Sequence, residues 1–259
     1  MTTLVNRIHT ILSTDPIWSA YALADLQPAF EPYCRWLTAD SEDGPGVVLV
    51  FSGLDPAILL TAGSVAAVET ILQDTPDLPQ TAYLSVREEH FPVLDRLYDN
   101  SADHRRMLRM VLPSRVHLPN EATSLRRLTP ADADRLSALY DHGGPFKPDG
   151  FDPYQLAEGV FFGREDVDGS LAAAGGTHIV HRGEGIAAIG NIYTRPDSRG
   201  RGHAKAITAA IVSALQADGV HTIVLNVDQR NEKAQALYQK LGFTIHCPFI
   251  EGVAEKRGA

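Results

Sequence analysis

A glycine-rich turn in the second half of the chain constrains the fold most, because it lies between a predicted strand and a predicted helix. The apolar strand pattern covers 186–194, and Gly200 and Gly202 precede a helical pattern that runs to Ala217. The first turn of a helix has N–H groups without partners and carries the positive end of the helix dipole. Glycines there let the backbone approach an anion, so the turn predicts a phosphate-binding helix start.

This turn alone leaves a simpler interpretation open, in which the glycines merely begin a helix. The third glycine of a dinucleotide-binding motif is missing, and the Gly-Lys-Ser/Thr of a P-loop is absent. A second pattern follows, with a strand over 222–227 and a helix over 231–241 that ends at Gly242. In that helix Asn231 could be only an N-cap and Tyr238 only a core aromatic residue.

The two patterns together resemble the GNAT superfamily of acyl-CoA-dependent N-acyltransferases. The pyrophosphate motif of that family, Arg/Gln-x-x-Gly-x-Gly/Ala, is similar to Arg199-Gly-Arg-Gly-His-Ala204. Its second motif, an Asn near the start of a helix ending Ala-x-x-Leu-Tyr-x-x-x-Gly-Phe, is similar to Asn231 through Phe243. The resemblance covers about 125–255. It implies an α/β (α+β) fold with a mixed, mostly antiparallel central sheet flanked by helices.

The resemblance also implies acetyl-CoA as co-substrate, with no metal. The residues that it assigns to the cofactor are Ile192, Tyr193, Thr194, Arg199, Gly200, Arg201, Gly202, His203, Ala204, Asn231 and Tyr238. Tyr238 would protonate the departing thiolate. A phenol suits this role, because its ordinary pKa of about 10 lies above that of a thiol, about 8.5.

The general base is less clearly indicated. Many relatives have a glutamate on the strand before the phosphate turn, but the strand over 186–194 contains no acidic residue. His178 is the first candidate, since the pKa range of histidine suits proton abstraction near neutral pH. His181, Asp228 and Glu158 stay open as alternatives, and each of the four could be an ordinary surface or satisfied polar residue.

Two domains are predicted, 1–115 and 122–259, because the stretch 111–124 contains two prolines and several polar residues. The long first half resembles the degenerate GNAT-like half of glycine N-acyltransferase-like proteins. Its candidate turn begins at Thr61 and lacks the Arg-x-x-Gly-x-Gly/Ala pattern. We therefore expect this half not to bind CoA and to shape the acceptor pocket.

Further segments follow from apolar periodicity. Predicted helices cover 4–12, 65–72, 91–98, 129–140 and 153–158. Predicted strands cover 46–52, 57–61, 81–86, 107–112, 124–128, 160–164, 171–181, 243–247 and 249–254.

Composition narrows the function. The net charge of −9 argues against binding to nucleic acid or to an anionic membrane surface. Two distant cysteines, the absence of a signal-peptide pattern and the lack of a membrane-length apolar stretch predict a cytoplasmic protein, a monomer or a homodimer. The predicted function is transfer of acetyl from acetyl-CoA to the amine of a small molecule or amino acid. A non-catalytic acyl-CoA-binding protein and a protein or peptide N-acetyltransferase are the alternatives.

Overall fold

The computed structural model describes residues 3–113, 125–148 and 150–258. These residues form two compact units, Met1–Arg109 with His246–Ala259, and Met110–Ile245. The end of the chain thus belongs to the first unit, whereas the predicted domains divide the chain once, between 115 and 122. That boundary lies outside the described residues, so the predicted division stays a prediction.

Eight α-helices and twelve strands are present in the described residues. The helices are α1 (Thr3–Leu12), α2 (Ala20–Ala24), α3 (Val65–Gln73), α4 (Phe91–Leu97), α5 (Ala133–Tyr140), α6 (Tyr154–Glu158), α7 (His203–Ala217) and α8 (Glu232–Lys240). The strands are β1 (Cys34–Ser41), β2 (Gly44–Phe51), β3 (Ala57–Gly63), β4 (Thr81–Arg87), β5 (Tyr98–Asp99), β6 (Arg105–Leu112), β7 (Arg126–Arg127), β8 (Phe162–Glu165), β9 (Leu171–His181), β10 (Ile186–Thr194), β11 (Thr222–Asp228) and β12 (Thr244–Lys256).

The first unit is a mixed sheet in the order β1-β2-β3-β4-β12. All neighbours are antiparallel except β3 and β4, which are parallel. Helices α1 and α3 pack on β2 and β3. Apolar side chains of α3, β2, β4 and β12 form the core, including the fully buried Val48, Val68 and Leu84. Burial of this apolar surface is the main favourable contribution to the folding of the unit.

The second unit is a sheet in the order β7-β8-β9-β10-β11. Its neighbours are antiparallel except β10 and β11, which are parallel. Helices α5 and α6 pack against β9, and α7 packs against β8, β9 and β10. A core cluster that includes Leu136, Phe161 and Ala174 lies within this unit. Both units therefore have the predicted fold class, a mostly antiparallel sheet flanked by helices.

Local sequence signals explain the helix ends of the second unit. Before α5, Thr129 and Asp132 form a capping box around a short 3₁₀ turn that begins at Pro130. After α8, Gly242 has a φ of +93°, a conformation that glycine adopts without strain. Both ends lie where the capping signals predict them.

The structure corrects some predicted elements. Closing strands were predicted over 243–247 and 249–254, and only the break between them is wrong, since β12 is continuous from Thr244 to Lys256. Pro248 lies between the two predicted strands, and it precedes the pairing of β12 with β4, which begins at Phe249. Strand β1 was not predicted, because its side chains are mostly half-buried without clear alternation. The start of the predicted strand 124–128 lies outside the described residues.

The described chain has no helix of the length and apolar character needed to cross a membrane.

Candidate active site

The two parallel strands of the second unit pair over only part of their length. β10 pairs with β11 from Ile186 to Ile189, opposite Thr222 to Leu225. Both strands continue beyond this register, β10 to Thr194 and β11 to Asp228. An extended ligand can form backbone hydrogen bonds to a strand that has left its neighbour, so this end of β10 is the first part of the candidate site.

A β-bulge distorts β10 at the same end. The register between β9 and β10 shifts between Gly190 and Tyr193, where β10 has one residue more than β9. Asn191 lies in the bulge with a φ of +56°, a conformation that asparagine tolerates better than most residues. The hydroxyl of Tyr140 donates to the carbonyl oxygen of Asn191 at 3.0 Å. The bulge is therefore anchored from α5, and bulges of this kind re-aim side chains next to active sites.

The glycine-rich turn joins β10 to α7. Gly200 and Gly202 both have a φ of +79°, and a Cβ on either would meet nothing within 4 Å. The backbone conformation, rather than crowding, therefore requires glycine at both positions. No side chain caps α7, whose N-cap is Gly202. The N–H groups of the first turn of α7 thus have no capping side chain as a competitor for an anion.

Positive charge surrounds this helix start. The side chain of Arg201 is exposed. The pKa of His203 is lowered mainly by burial and further by Arg164 and Arg201. The positive charges of Arg164 and Arg201 disfavour a further positive charge on His203, the first residue of α7. The same charges would attract an anion at the N-terminus of this helix.

Two arginines near the turn have structural contacts. Arg199 donates through Nε to the carbonyl oxygen of Thr194 at 3.1 Å, and its guanidinium lies 6.0 Å from the Tyr193 ring. Arg195 forms ion pairs with Asp166 and Asp197. Both residues fix the shape of the turn, and Arg199 is held against the end of β10.

The predicted cofactor residues of β10 differ in how they can contribute. The side chain of Tyr193 is 4% exposed, and its hydroxyl donates to the carbonyl oxygen of Gly143 at 2.7 Å. Tyr193 therefore belongs to the core, and only its backbone could meet a ligand. The carbonyl of Thr194 already accepts from Arg199, while Ile192 is half-buried beside the bulge.

Asn231 and Tyr238 lie at the start and on the inner face of α8. The side-chain oxygen of Asn231 accepts from the N–H of Ala234 at 3.2 Å, which makes Asn231 the N-cap. Tyr238 is 8% exposed and packs edge-on against Phe243, with ring centroids 6.0 Å apart. Burial raises the pKa of Tyr238 to about 12. Within residues 3–113, 125–148 and 150–258, the hydroxyl of Tyr238 has no hydrogen-bond partner, so it keeps a proton that it can donate to a ligand.

A basic cleft between α7 and α8 was missed by the sequence analysis. It is lined by Lys205, Lys233, Ala236, Leu237 and Lys240. The ammonium groups of three lysines on two helices give this cleft a positive charge, which would attract an anionic group. The signal was available in α8, because Lys233 and Lys240 are two helical turns apart and share one face.

The candidates for the general base are unequal in their surroundings. His178 is half-buried on β9, with Nε2 3.3 Å from the side-chain oxygen of Asn191 in the bulge. Asp228 forms an ion pair with Arg230, and Glu158 is exposed at the end of α6. Because only His178 has a described contact with the bulge, it is the candidate that the geometry favours.

The first unit contains a similar strand-to-helix turn that is filled by the chain itself. β3 and β4 pair in parallel from Ala57 to Leu60 and then continue to Gly63 and Arg87. A Cβ on Gly63, which has a φ of +90°, would lie 2.3 Å from the carbonyl oxygen of Pro45. No space for a ligand is therefore left at this glycine.

Two buried side chains also bind the end of β3. Trp18 donates through Nε1 to the carbonyl oxygen of Thr61 at 2.8 Å. His90 lies 3.1 Å from the carbonyl oxygen of Gly63 through Nε2 and 2.8 Å from the Thr61 hydroxyl through Nδ1. Trp18 and His90 are 1% and 0% exposed, so the end of β3 is part of the core.

The second unit thus contains parallel strands that pair over part of their length beside a bulge, followed by a glycine turn into an uncapped helix. Residues 130–243 match the model of the acetyltransferase (GNAT) family. This match covers less than half of the chain and contains the glycine-rich turn, α7 and α8. No three His, Cys, Asp or Glu side chains cluster as metal ligands among the described residues.

Curated relatives match less than half of the chain. A mycothiol acetyltransferase from Paenarthrobacter aurescens (strain TC1) is 41% identical over 98 residues, which are 37% of this chain and 29% of that protein. One from Stackebrandtia nassauensis is 36% identical over 101 residues, 38% of this chain and 31% of that protein. The match therefore spans less than a third of the length of these relatives.

Solved structures resemble nearly the whole chain. A GNAT-family protein from Novosphingobium aromaticivorans DSM 12444 has a TM-score of 0.62 at 19% identity, covering 94% of this chain and 97% of that one. A GCN5-related N-acetyltransferase from Kribbella flavida has a TM-score of 0.58 at 16% identity, covering 94% and 96%. At these identities the likeness establishes the fold.

Proposed function

We propose that this chain transfers an acetyl group from acetyl-CoA to the amine of a small molecule or amino acid. The observation that carries the proposal is the uncapped start of α7, with Gly200 and Gly202 at positive φ and open space around them. This arrangement fits a diphosphate, because several N–H groups and the helix dipole converge on one anion.

The other residues fit the remaining parts of acetyl-CoA. The lysine cleft between α7 and α8 suits the additional phosphate of CoA. The separated end of β10, with the backbone of Ile192, Tyr193 and Thr194, suits the amide-containing arm. The backbone from Arg199 to Ala204, which includes the turn before α7 and the first residues of α7, is proposed to take the diphosphate. Asn231 is proposed to act from the start of α8, mainly by fixing that helix through its cap.

Acetyl-CoA supplies an activated acyl group as a thioester. In this proposal the phenol of Tyr238 gives its proton to the sulfur as the thiolate leaves, and its raised pKa of about 12 supports this because the phenol is protonated beforehand. His178 takes a proton from the attacking amine. Both roles are acid–base roles that a phenol and an imidazole can perform near neutral pH.

Thiol release from acetyl-CoA over an amine panel tests the proposal. The panel contains amino acids, amino sugars and, because of the relatives' name, mycothiol-related amines. We expect turnover with at least one small amine and none in the amine-free control. Binding of acetyl-CoA without turnover on any amine or peptide would contradict the enzymatic function.

A non-catalytic acyl-CoA-binding protein is the second candidate. The observation that favours it is the absence of a carboxylate on β10, where many relatives have their base. A protein or peptide N-acetyltransferase is the third, and peptides added to the same panel separate it from the first. Each alternative keeps the acyl-CoA site and differs only in the acceptor.

The first unit is proposed to be a degenerate GNAT-like half that does not bind CoA. The filled turn at Gly63 and the buried Trp18 and His90 support this. The proposed role of this first unit is to shape the pocket for the acceptor amine. The relation to glycine N-acyltransferase-like proteins stays a prediction, since the curated relatives above are mycothiol acetyltransferases.

A further inference from the structure

A chain of amide groups reaches His178 from the loop before α6. Gln155 donates through Nε2 to the carbonyl oxygen of Gly150 at 3.0 Å. Asn191 donates through Nδ2 to the side-chain oxygen of Gln155 at 2.7 Å. The side-chain oxygen of Asn191 then lies 3.3 Å from Nε2 of His178.

The direction of every bond in this chain follows from its first member. A backbone carbonyl can only accept, so Gln155 must turn its NH₂ group toward Gly150. The side-chain oxygen of Gln155 therefore faces Asn191, and Asn191 must donate to it through its own NH₂ group. This leaves the oxygen of Asn191 facing His178, and an amide oxygen requires a donor opposite it. Nε2 of His178 must carry a hydrogen.

The positions of the two end residues are fixed by the backbone. Asn191 has its positive φ, and its carbonyl is held by the hydroxyl of Tyr140. A Cβ on Gly190 would lie 2.1 Å from Nε2 of His178, so the imidazole edge lies directly against the bulge. The ring has no room to approach β10 in another way at this point.

We propose that Gln155 and Asn191 are positioning residues that fix the neutral imidazole of His178 with its hydrogen on Nε2, so that Nδ1 is the basic atom. This inference rests on the proposed function, in which His178 accepts the proton of the amine. As the nitrogen–carbon bond to the acetyl group forms, the amine proton moves to Nδ1. The carbon–sulfur bond breaks, and the sulfur takes the proton of Tyr238.

Imidazole ¹⁵N chemical shifts of the full chain test this directly, because the protonated and unprotonated nitrogens of neutral histidine resonate far apart. The spectrum is recorded about two pH units above the ordinary histidine pKa of about 6.5. His178→Gln identifies the signals. His142 provides an internal control of opposite sign, since its Nδ1 lies 3.1 Å from two carbonyl oxygens and must carry the hydrogen.

Variants separate the relay from general packing. Asn191→Gly keeps the positive φ and deletes the amide, so we expect His178 to become a mixture of both tautomers. Gln155→Leu should have the same effect by releasing the Asn191 amide. Gln155→Glu keeps an acceptor for the NH₂ group of Asn191 and should preserve the Nε2–H tautomer. The His142 signals should stay unchanged in all three variants.

The inference would be overturned if His178 carried its hydrogen on Nδ1 in the unaltered protein. It would also be overturned if the tautomer of His178 stayed the same in both Asn191→Gly and Gln155→Leu. The readout needs neither acetyl-CoA nor an acceptor, so it is independent of the proposed function. If the tautomer is as proposed but His178→Gln keeps full turnover, the assignment of His178 as base fails while the positioning network stands.

Discussion

The two units contain the same parallel strand pair followed by a helix, and they differ in what occupies the turn between strand and helix. At the start of α3, Gly63 is crowded by the backbone of Pro45, and a Cβ would lie 2.3 Å from its carbonyl oxygen. At the start of α7, Gly200 and Gly202 have the same kind of positive φ with nothing within 4 Å. The first glycine allows close packing of the chain, whereas the other two leave open space at the start of a helix.

A glycine with positive φ between a strand and a helix can therefore serve packing or leave space for a ligand, depending on the residues around it. In the first unit, Trp18 and His90 hold the end of β3 within the core. In the second unit, the corresponding end of β10 carries a bulge, and the buried Tyr238 keeps an unpartnered hydroxyl within the described residues. Substitutions matched between the units test this comparison.

The largest effect is expected for Tyr238→Phe, which removes the proposed proton donor. Turnover should fall by about 100-fold or more, since positioned acids and bases contribute roughly 10²–10⁴-fold, while acetyl-CoA affinity stays unchanged. Steady-state kinetics and calorimetry measure the two quantities. Tyr98→Phe in the first unit is the matched control, because burial raises the pKa of Tyr98 to about 12 as well. Equal losses in both variants would remove Tyr238 from the mechanism.

The pH dependence sharpens the role of Tyr238. Because burial raises its pKa to about 12, the donor is protonated at every pH below that value. The rate should therefore show no decline from the loss of this proton across the neutral and mildly alkaline range. A rate-versus-pH profile that declines there in the unaltered protein, but not in Tyr238→Phe, would contradict this account.

Gly202→Val should weaken acetyl-CoA binding by roughly 10- to 100-fold, the loss of a hydrogen bond or two to a charged group. A β-branched residue at a φ of +79° reshapes the turn, which costs about 1–2 kcal/mol of folding free energy. Gly219→Val is the matched control, since Gly219 has a φ of +84° and open space around it. The Gly219→Val variant should lose a similar amount of folding free energy and should bind acetyl-CoA with unchanged affinity. An affinity loss in the control would refute the assignment of the turn.

Lys240→Gln should weaken binding by no more than about 5-fold, because ion pairs at exposed sites contribute roughly 0.2–1 kcal/mol. The effect should shrink as salt is raised, since exposed charges are screened. Calorimetric titration at two salt concentrations measures it. Lys256→Gln in the first unit serves as control and should leave the affinity for acetyl-CoA unchanged at both salt concentrations.

Trp18→Phe should leave acetyl-CoA affinity unchanged. Loss of the Nε1–H leaves the buried carbonyl of Thr61 without this donor, which costs about 1–3 kcal/mol of folding free energy. A lower melting temperature with an unchanged Kd is the expected result. A large change in Kd would mean that the first unit binds the cofactor.

Much of the second unit could be predicted from the sequence, because its strands are apolar and its helix ends carry clear signals. The predicted bounds of 171–181 and 186–194 agree with β9 and β10, and the glycine turn was located correctly. The lysine cleft was missed because it requires two helices to be placed side by side. The amide chain to His178 was missed for a similar reason, since Gln155 and Asn191 are 36 residues apart.

Other errors have a local cause. The predicted break in the last strand falls at Pro248, a residue that β12 contains without interruption. The assignment of Asn231 to the cofactor by resemblance stays a prediction, and its cap of α8 follows from the residue type alone. The roles of all predicted site residues stay predictions until ligand binding and turnover are measured.

The most direct test of acetyl-CoA binding at the start of α7 is a calorimetric titration of the full folded chain with acetyl-CoA. The account predicts one binding site per chain, strongly weakened by Gly202→Val and retained in Trp18→Phe. Folded protein that gives no heat of binding with acetyl-CoA or longer acyl-CoAs would contradict it, as would two equal sites per chain.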